Sequence, residues 1–184
     1  MKYFEHESAA TFDEAVSLLK ESPKGKTVVM AGGSDLIGVL KEQILEDYPE
    51  KVVDLKTVRG GEYIKQDGDT IEIGALTKLC DIVKSDLLNE KAPVLSQAAR
   101  SVATPLIRNV ATMGGNICQD VRCWFYRYPH GIGGRMDCMR KGGKECYAVM
   151  GDNRYHSIFG GMKVHTTPCS VQCPANTDIP AYME

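Results

Sequence analysis

Apolar and polar positions follow two different periods along the first hundred residues, and each period predicts an element. Phe12, Ala15, Val16, Leu18 and Leu19 recur at helical spacing on one face. Ahead of them, Thr11-Phe12-Asp13-Glu14 fits a capping box, with a hydroxyl at the N-cap and a carboxylate three residues on. Pro23 and Gly25 end this helix. Thr27-Val28-Val29-Met30 reads as a short strand, Ala31-Gly32-Gly33-Ser34-Asp35 as a tight turn, residues 36–44 as a second helix and residues 51–55 as a second buried strand. The result is a β-α-β-like unit that ends near Lys56. Beyond it the period falls to two: residues 63–66 and 70–73 alternate around Asp67-Gly68-Asp69, a hairpin signal. Thr77 is positioned to cap a short helix through Val83. Pro93 suits the first position of another helix, running through Ala98 and Ala99 to Val102, before Thr104-Pro105 interrupts it.

From Ala111 the periodicity fades. The stretch from 118 to 161 carries many glycines and the aromatic residues Trp124, Phe125, Tyr126, Tyr128, Tyr147 and Tyr155. An irregular segment of this length is either functional or disordered. Its cysteines and aromatic residues argue against disorder, and a metal cluster supplies an organising centre where periodic core packing does not. Of seven cysteines, Cys80 stands alone, and Cys118, Cys123, Cys138, Cys146, Cys169 and Cys173 are grouped. In a reducing compartment such a group points to metal or redox chemistry, with structural disulfides as the plainer alternative.

Composition narrows the class. A chain of 184 residues corresponds to one or two domains, and 43% hydrophobic residues suffice for a core. With 22 basic against 24 acidic residues, the net charge of −2 gives no electrostatic reason to expect nucleic acid. No apolar run approaches the roughly 18 residues of a membrane span. Met1-Lys2-Tyr3-Phe4-Glu5-His6-Glu7 carries acids where a signal peptide needs an apolar stretch. A cytoplasmic protein without a membrane span is expected.

Two glycine turns carry the candidate binding chemistry. In the first, a strand enters Gly32-Gly33 and a helix leaves it. The second is Ala111-Thr112-Met113-Gly114-Gly115-Asn116-Ile117, with Arg108 and Asn109 just before it. Glycines let a backbone approach a ligand closely, and exposed N–H groups at a helix start attract an anion. Two such turns suit a diphosphate held from two sides, without requiring a lysine. Neither has the spacing of G-x-G-x-x-G or of a P-loop. No acid–base dyad stands out, so no catalytic residue is assigned.

These pieces together resemble a known family. "VVMAGGSDLIGVLK", "IEIGALTKLCDI", "AARSVATPLIRNVATMGGNI" and "RCWFYRYP…CMRKGGKECYAVMGDNRYHSIFGG" are similar to the FAD-binding flavoprotein subunit of the xanthine dehydrogenase and carbon-monoxide dehydrogenase family. The likeness covers about residues 1–168. It implies an α+β, vanillyl-alcohol-oxidase-type (PCMH-like) FAD-binding fold made of two small α/β subdomains and incomplete at its C-terminal side. The resemblance also implies that FAD is held by Ala31, Gly32, Gly33, Ser34 and Asp35 from the first turn and by Thr112, Gly114, Gly115 and Asn116 from the second, with Thr77 on the flavin side.

The cysteine segment is similar to an insertion in 4-hydroxybenzoyl-CoA reductase that carries a 4Fe–4S cluster near the flavin. By position, Cys123-x₁₄-Cys138-x₇-Cys146 matches three of its ligands, and Arg154-Tyr155 stands where the fourth cysteine would be. Cys169 is the first choice for the fourth ligand and Cys118 the second; four thiolates are usual. The tail, with Cys169-x₃-Cys173-Pro174 followed by Asp178-Ile179-Pro180-Ala181-Tyr182, looks like the start of the iron–sulfur domain of the glutamate synthase small subunit.

The expected organisation is therefore residues 1–56 and 57–168 as FAD-binding subdomains, the latter with an iron–sulfur insertion from about 118, and 169–184 as the start of a further iron–sulfur domain. The expected role is an electron-transfer module whose partners are iron–sulfur subunits and molybdenum or NAD(P)-binding subunits, with substrate turned over on a partner. The alternative is a non-enzymatic zinc-binding or assembly module. Zinc sites usually show close C-x₂-C pairs, which this sequence lacks.

Overall fold

The computed structural model describes residues 1–45, 47–128 and 137–147. Three parallel strands, β1 (Glu5–Ser8), β2 (Thr27–Met30) and β3 (Lys51–Asp54), form a sheet in the order β1-β3-β2. Glu5 and Thr27 both stand opposite Lys51, one on each side of the central strand. Helices α1 (Phe12–Lys20) and α2 (Leu36–Lys41) make the two crossovers. Val52 and Val53 point to opposite faces of β3 and are both fully buried, so the sheet is covered on both sides, as parallel sheets are.

Local chemistry sets the ends of α1. The Thr11 hydroxyl accepts from the Glu14 N–H at 3.1 Å, and Glu14 Oε2 accepts from the Ala10 N–H at 2.7 Å. The carboxylate thus reaches one residue further back than in a simple capping box. Of the predicted apolar face only Ala15 is buried; Phe12, Val16 and Leu19 stay exposed. The predicted second helix is shorter than its pattern and ends at Lys41. Strand β1 has no apolar run to announce it. Its Glu5 and Glu7 instead meet Lys51 across the sheet, at 3.7 and 2.8 Å.

The second half begins with the antiparallel hairpin β4 (Ile64–Asp67) and β5 (Thr70–Ile73), where Asp67 pairs with Thr70. Short helices follow: α3 (Leu79–Lys84), α4 (Asp86–Lys91), α5 (Pro93–Arg100), α6 (Pro105–Arg108) and α7 (Met113–Ile117). Pro93 opens α5 as its pattern predicts, although the helix stops two residues short of Val102. Thr77 does not cap α3. Lys78 occupies that position, and the Thr77 hydroxyl bonds both the N–H and the carbonyl of Tyr63, at 3.0 and 2.9 Å.

Leu79, Ile82, Leu88, Ala99 and Ala111 build the core of this half. Burying each large side chain among them contributes about 1.5–3 kcal/mol. A second cluster, Ala9, Ala15, Val53, Val58 and Leu76, joins the parallel sheet to the strand end beyond the hairpin. Among the described residues, no helix is long and apolar enough to cross a membrane.

Candidate functional site

The C-terminal ends of β2 and β3 open onto a cleft of about 280 Å³. Ala31 and Gly32 continue β2, Leu55 and Lys56 continue β3, and Leu76, Lys78, Asn109, Val110 and Thr112 close the other wall, with Glu62 the acidic residue of the lining. Open parallel sheets bind ligands outside the carboxyl ends of their strands. The two glycine turns meet here. A Cβ on Gly32 would overlap the Val110 carbonyl and touch the Ala111 main chain, so only glycine allows the backbones to come this close. Gly33 has φ +71°, which lets the chain reverse before α2.

The two turns offer a ligand different things. In the first, the N–H groups of Gly32, Gly33, Ser34 and Asp35 make no hydrogen bond among the described residues. They remain available as donors to a ligand. In the second, the amides are already used. Gly114 donates to the Ala75 carbonyl at 2.8 Å, Gly115 to the Thr112 hydroxyl oxygen at 3.1 Å, and Asn116 to the Thr112 carbonyl at 2.8 Å. What this turn presents to the cleft is Thr112, whose hydroxyl hydrogen remains free to donate. Arg108 turns away and donates to the carbonyls of Arg100, Val102 and Ala103 at 2.7–3.3 Å.

Two lysines supply positive charge. Lys56 lies 3.9 Å from Asp54, whereas Lys78 makes no ion pair among the described residues. Both sit just after the ends of strands or extended segments, outside any glycine motif, so no sequence pattern marks them. Free N–H donors, a hydroxyl and an unpaired ammonium fit the diphosphate of a dinucleotide, and a cleft of this size takes part of one. A larger hollow of about 360 Å³ lies at the opposite end of the sheet, beside Tyr3, Pro23, Lys26 and Thr27. Its lysines are paired, Lys26 with Glu50 and Lys51 with Glu7.

Residues 2–128 match the family described as the FAD binding domain in molybdopterin dehydrogenase. The chain belongs to this family. It is 34% identical over 117 residues to the nicotinate dehydrogenase FAD-subunit of Eubacterium barkeri, covering 64% of this chain and 39% of that one. A longer alignment, 29% identical over 161 residues, covers 87% of this chain and 48% of the aldehyde oxidoreductase FAD-binding subunit PaoB of Escherichia coli. Among solved structures, it resembles the carbon monoxide dehydrogenase of Hydrogenophaga pseudoflava that lacks the Mo-pyranopterin moiety of its cofactor. That likeness has a TM-score of 0.59 and 31% identity, over 63% of this chain and 39% of the other. The chain thus spans about two fifths of the length of most of these relatives.

Within this FAD-binding domain, the sequence-derived site residues divide into groups. Ala31, Gly32 and Thr112 line the cleft, and Gly33, Ser34 and Asp35 continue the first turn. Gly114, Gly115 and Asn116 lie behind the wall on α7, and the Thr77 hydroxyl is taken up by Tyr63. The Asp35 carboxylate faces away from the cleft, toward Arg122, Arg127 and the Asp120 N–H. Burial raises its pKa, but these three donors outweigh that effect and hold the carboxyl below its ordinary range.

Three of the four cysteines expected to hold metal come together. Cys123 and Cys138 are buried in one cluster with Val39, Ile44 and Tyr126, and Cys146 packs against it. All three are free thiols, packed as small apolar groups. No set of three His, Cys, Asp or Glu side chains among the described residues has the arrangement of a metal site. Cys169 and the rest of the tail from 148 onward lie outside the described residues, while the second-choice ligand Cys118 is exposed. Of the aromatic run, Tyr126 is buried, Phe125 stacks on Tyr147 at 5.8 Å, and Trp124 is exposed.

Proposed function

We propose that the chain is the FAD-binding part of a multi-subunit, molybdenum hydroxylase-type oxidoreductase, and that it carries a 4Fe–4S cluster beside its flavin. The observation that carries this reading is the first glycine turn. Its main-chain N–H groups make no hydrogen bond among the described residues, and through Ala31 and Gly32 it enters a cleft that Lys78 and Thr112 also line, inside the segment that matches an FAD-binding domain. Gly32, Gly33 and Ser34 donate main-chain N–H groups to the diphosphate. Lys78 neutralises phosphate charge, Thr112 adds a hydroxyl donor, and Leu55 and Leu76 exclude water from the cleft floor. Bound FAD supplies the ability to take an electron pair and release single electrons. The vanillyl-alcohol-oxidase-type topology, a cytoplasmic location, and partner subunits carrying iron–sulfur, molybdenum or NAD(P) sites belong to the same proposal.

The cluster ligands in this reading are Cys123, Cys138 and Cys146 with Cys169 fourth, and Cys118 the next choice. The clustering of three thiols in a segment with little regular structure supports it. Residues from 169 begin a further iron–sulfur domain of the glutamate synthase type. The zinc-binding or assembly alternative is set aside, because the family match is to a flavin-binding domain.

The test is anaerobic purification followed by absorption spectroscopy, bound-flavin analysis and iron and sulfide determination. Stoichiometric FAD with about four iron and four sulfide per chain is the expected result. A protein that binds no FAD after reconstitution refutes the flavin assignment, and zinc without iron refutes the cluster.

A further inference from the structure

We propose that Asp35 is a positioning residue that latches the glycine turn to the cysteine-bearing segment, so that flavin occupancy and the order of residues 120–127 rise and fall together. The idea rests on the flavin reading above and departs from the family-based expectation that Asp35 touches the cofactor. Among the described residues, the partners of its carboxylate come from one segment some ninety positions later in the chain. Asp35 Oδ2 accepts the Asp120 N–H at 2.9 Å. Oδ1 accepts Arg127 Nη2 at 2.8 Å and also Arg122 Nη1. A carboxylate offers about four lone-pair sites and no donor, and three of those sites are taken.

The donors are themselves held. Arg127 Nε donates to the Val121 carbonyl at 2.7 Å, and its Nη2 also donates to the Asp120 carbonyl at 3.0 Å. Tyr126 OH donates to Asp120 Oδ2 at 2.6 Å. The Asp35 and Arg127 side chains are only 16% and 19% exposed, so this ion pair is shielded from bulk water. Tyr126 and Cys123 are meanwhile buried against Val39 and Ile44. Residues 120–127 therefore dock at two points: an apolar one on and just after α2, and a polar one at the turn that leads into α2.

This arrangement also answers a charge problem. An unpaired carboxylate in the turn would repel a diphosphate held by the same turn. The Arg122 and Arg127 guanidiniums balance the carboxylates of Asp35 and Asp120, so the turn no longer presents an unpaired negative charge. Fixing residues 120–127 thus prepares the turn for an anion. By linkage, an anion on the turn stabilises residues 120–127 to the same extent.

Hydrogen exchange read by mass spectrometry on the full chain tests this, with and without saturating FAD, in the unsubstituted protein, Asp35→Asn and Arg122→Ala. Arg122 is half exposed, so its truncation leaves the buried packing intact. In the unsubstituted protein, FAD slows exchange of the 120–127 amides by about fivefold or more. Both variants bind FAD more weakly and lose that response, while the Val52 and Val53 amides stay protected. Loss of FAD binding in Asp35→Asn with an undiminished response in Arg122→Ala makes Asp35 a direct cofactor ligand and overturns the latch. An undiminished response in both variants overturns it as well. If the unsubstituted chain binds no FAD, the flavin reading fails by itself, and the latch is then judged on the free chain. There, Asp35→Asn speeds exchange of residues 120–127 by at least about fivefold without touching the sheet, and unchanged exchange refutes it.

Discussion

Replacing Gly32 by alanine tests the cleft where its two walls meet. The added Cβ has to occupy space held by the Val110 carbonyl, with the Ala111 Cα 3.0 Å away. These are main-chain atoms, so no flexible side-chain end can yield, and residues 109–112 must move as a piece. Overpacking of this kind costs about 1–3 kcal/mol, or roughly 2–4 °C of Tm per kcal/mol for a chain of this size. The same shift carries Thr112 away from the first turn. Losing one hydrogen bond to a charged phosphate at about 1.5–3 kcal/mol weakens FAD by about tenfold to a hundredfold. Gly38→Ala is the control: its Cβ meets nothing within 4 Å, and leaving glycine inside α2 is worth roughly 0.5–1 kcal/mol in the opposite direction. The assays are thermal unfolding and FAD titration by fluorescence. A Gly32→Ala protein with unchanged Tm and FAD affinity within twofold of the original refutes the close meeting of the two turns.

Lys78→Ala removes the unpaired cation of the cleft and lowers FAD affinity by roughly fivefold to tenfold, most clearly at low ionic strength; the same loss at all salt concentrations argues against a phosphate contact. Because the folded state depresses the Asp35 pKa, its contribution to stability is complete above the ordinary carboxylate range and disappears as pH falls through the folded value. The stability gap between the unsubstituted protein and Asp35→Asn, measured by urea unfolding, should accordingly be wide at pH 7 and close well below pH 4. Cys146→Ser should abolish iron binding and loosen residues 118–147, whereas Cys80→Ser should leave iron unchanged. The latter thiol sits on α3, half-buried, with burial and the neighbouring Asp81 pushing its pKa up. Iron and sulfide analysis of both variants reads the difference.

Elements with a local chemical cause were legible in the sequence. Thr11 and Glu14 mark the start of α1, Pro93 marks α5, and the alternation around Asp67-Gly68-Asp69 gives the hairpin. What failed to show depends on partners far along the chain. Strand β1 is polar and is held by its main-chain ladder to β3, with Lys51 meeting its two acids across the sheet. Thr77 looks like a cap, yet the Tyr63 main chain competes for its hydroxyl and wins. The first glycine turn could be found as a Gly-Gly pair between a strand pattern and a helix pattern. The exhaustion of the second turn's amides could not, because Ala75 and Thr112 consume them only once the chain has folded. Lys56 and Lys78 reach the same cleft from 22 positions apart, a distance at which sequence pattern carries no information. That Cys123, Cys138 and Cys146 pack together was expected from the family resemblance and not from their spacing, which sets them 15 and 8 positions apart.

The strand order β1-β3-β2 dictates when the sheet can exist at all. Its central member comes last in the chain, and the two outer strands never touch each other. Until Lys51–Asp54 is available, neither β1, which pairs with it from 46 residues earlier, nor β2, from 24 residues earlier, has anything to bond. A nascent chain emerging from the ribosome at about 5–20 residues per second therefore displays two solitary strands for a few seconds. Both loops then close on one segment together. Pairings so distant in sequence slow the search for the native state. Any fragment that stops short of Lys51 has no sheet on which α1 can pack, and a helix of nine residues is not stable by itself.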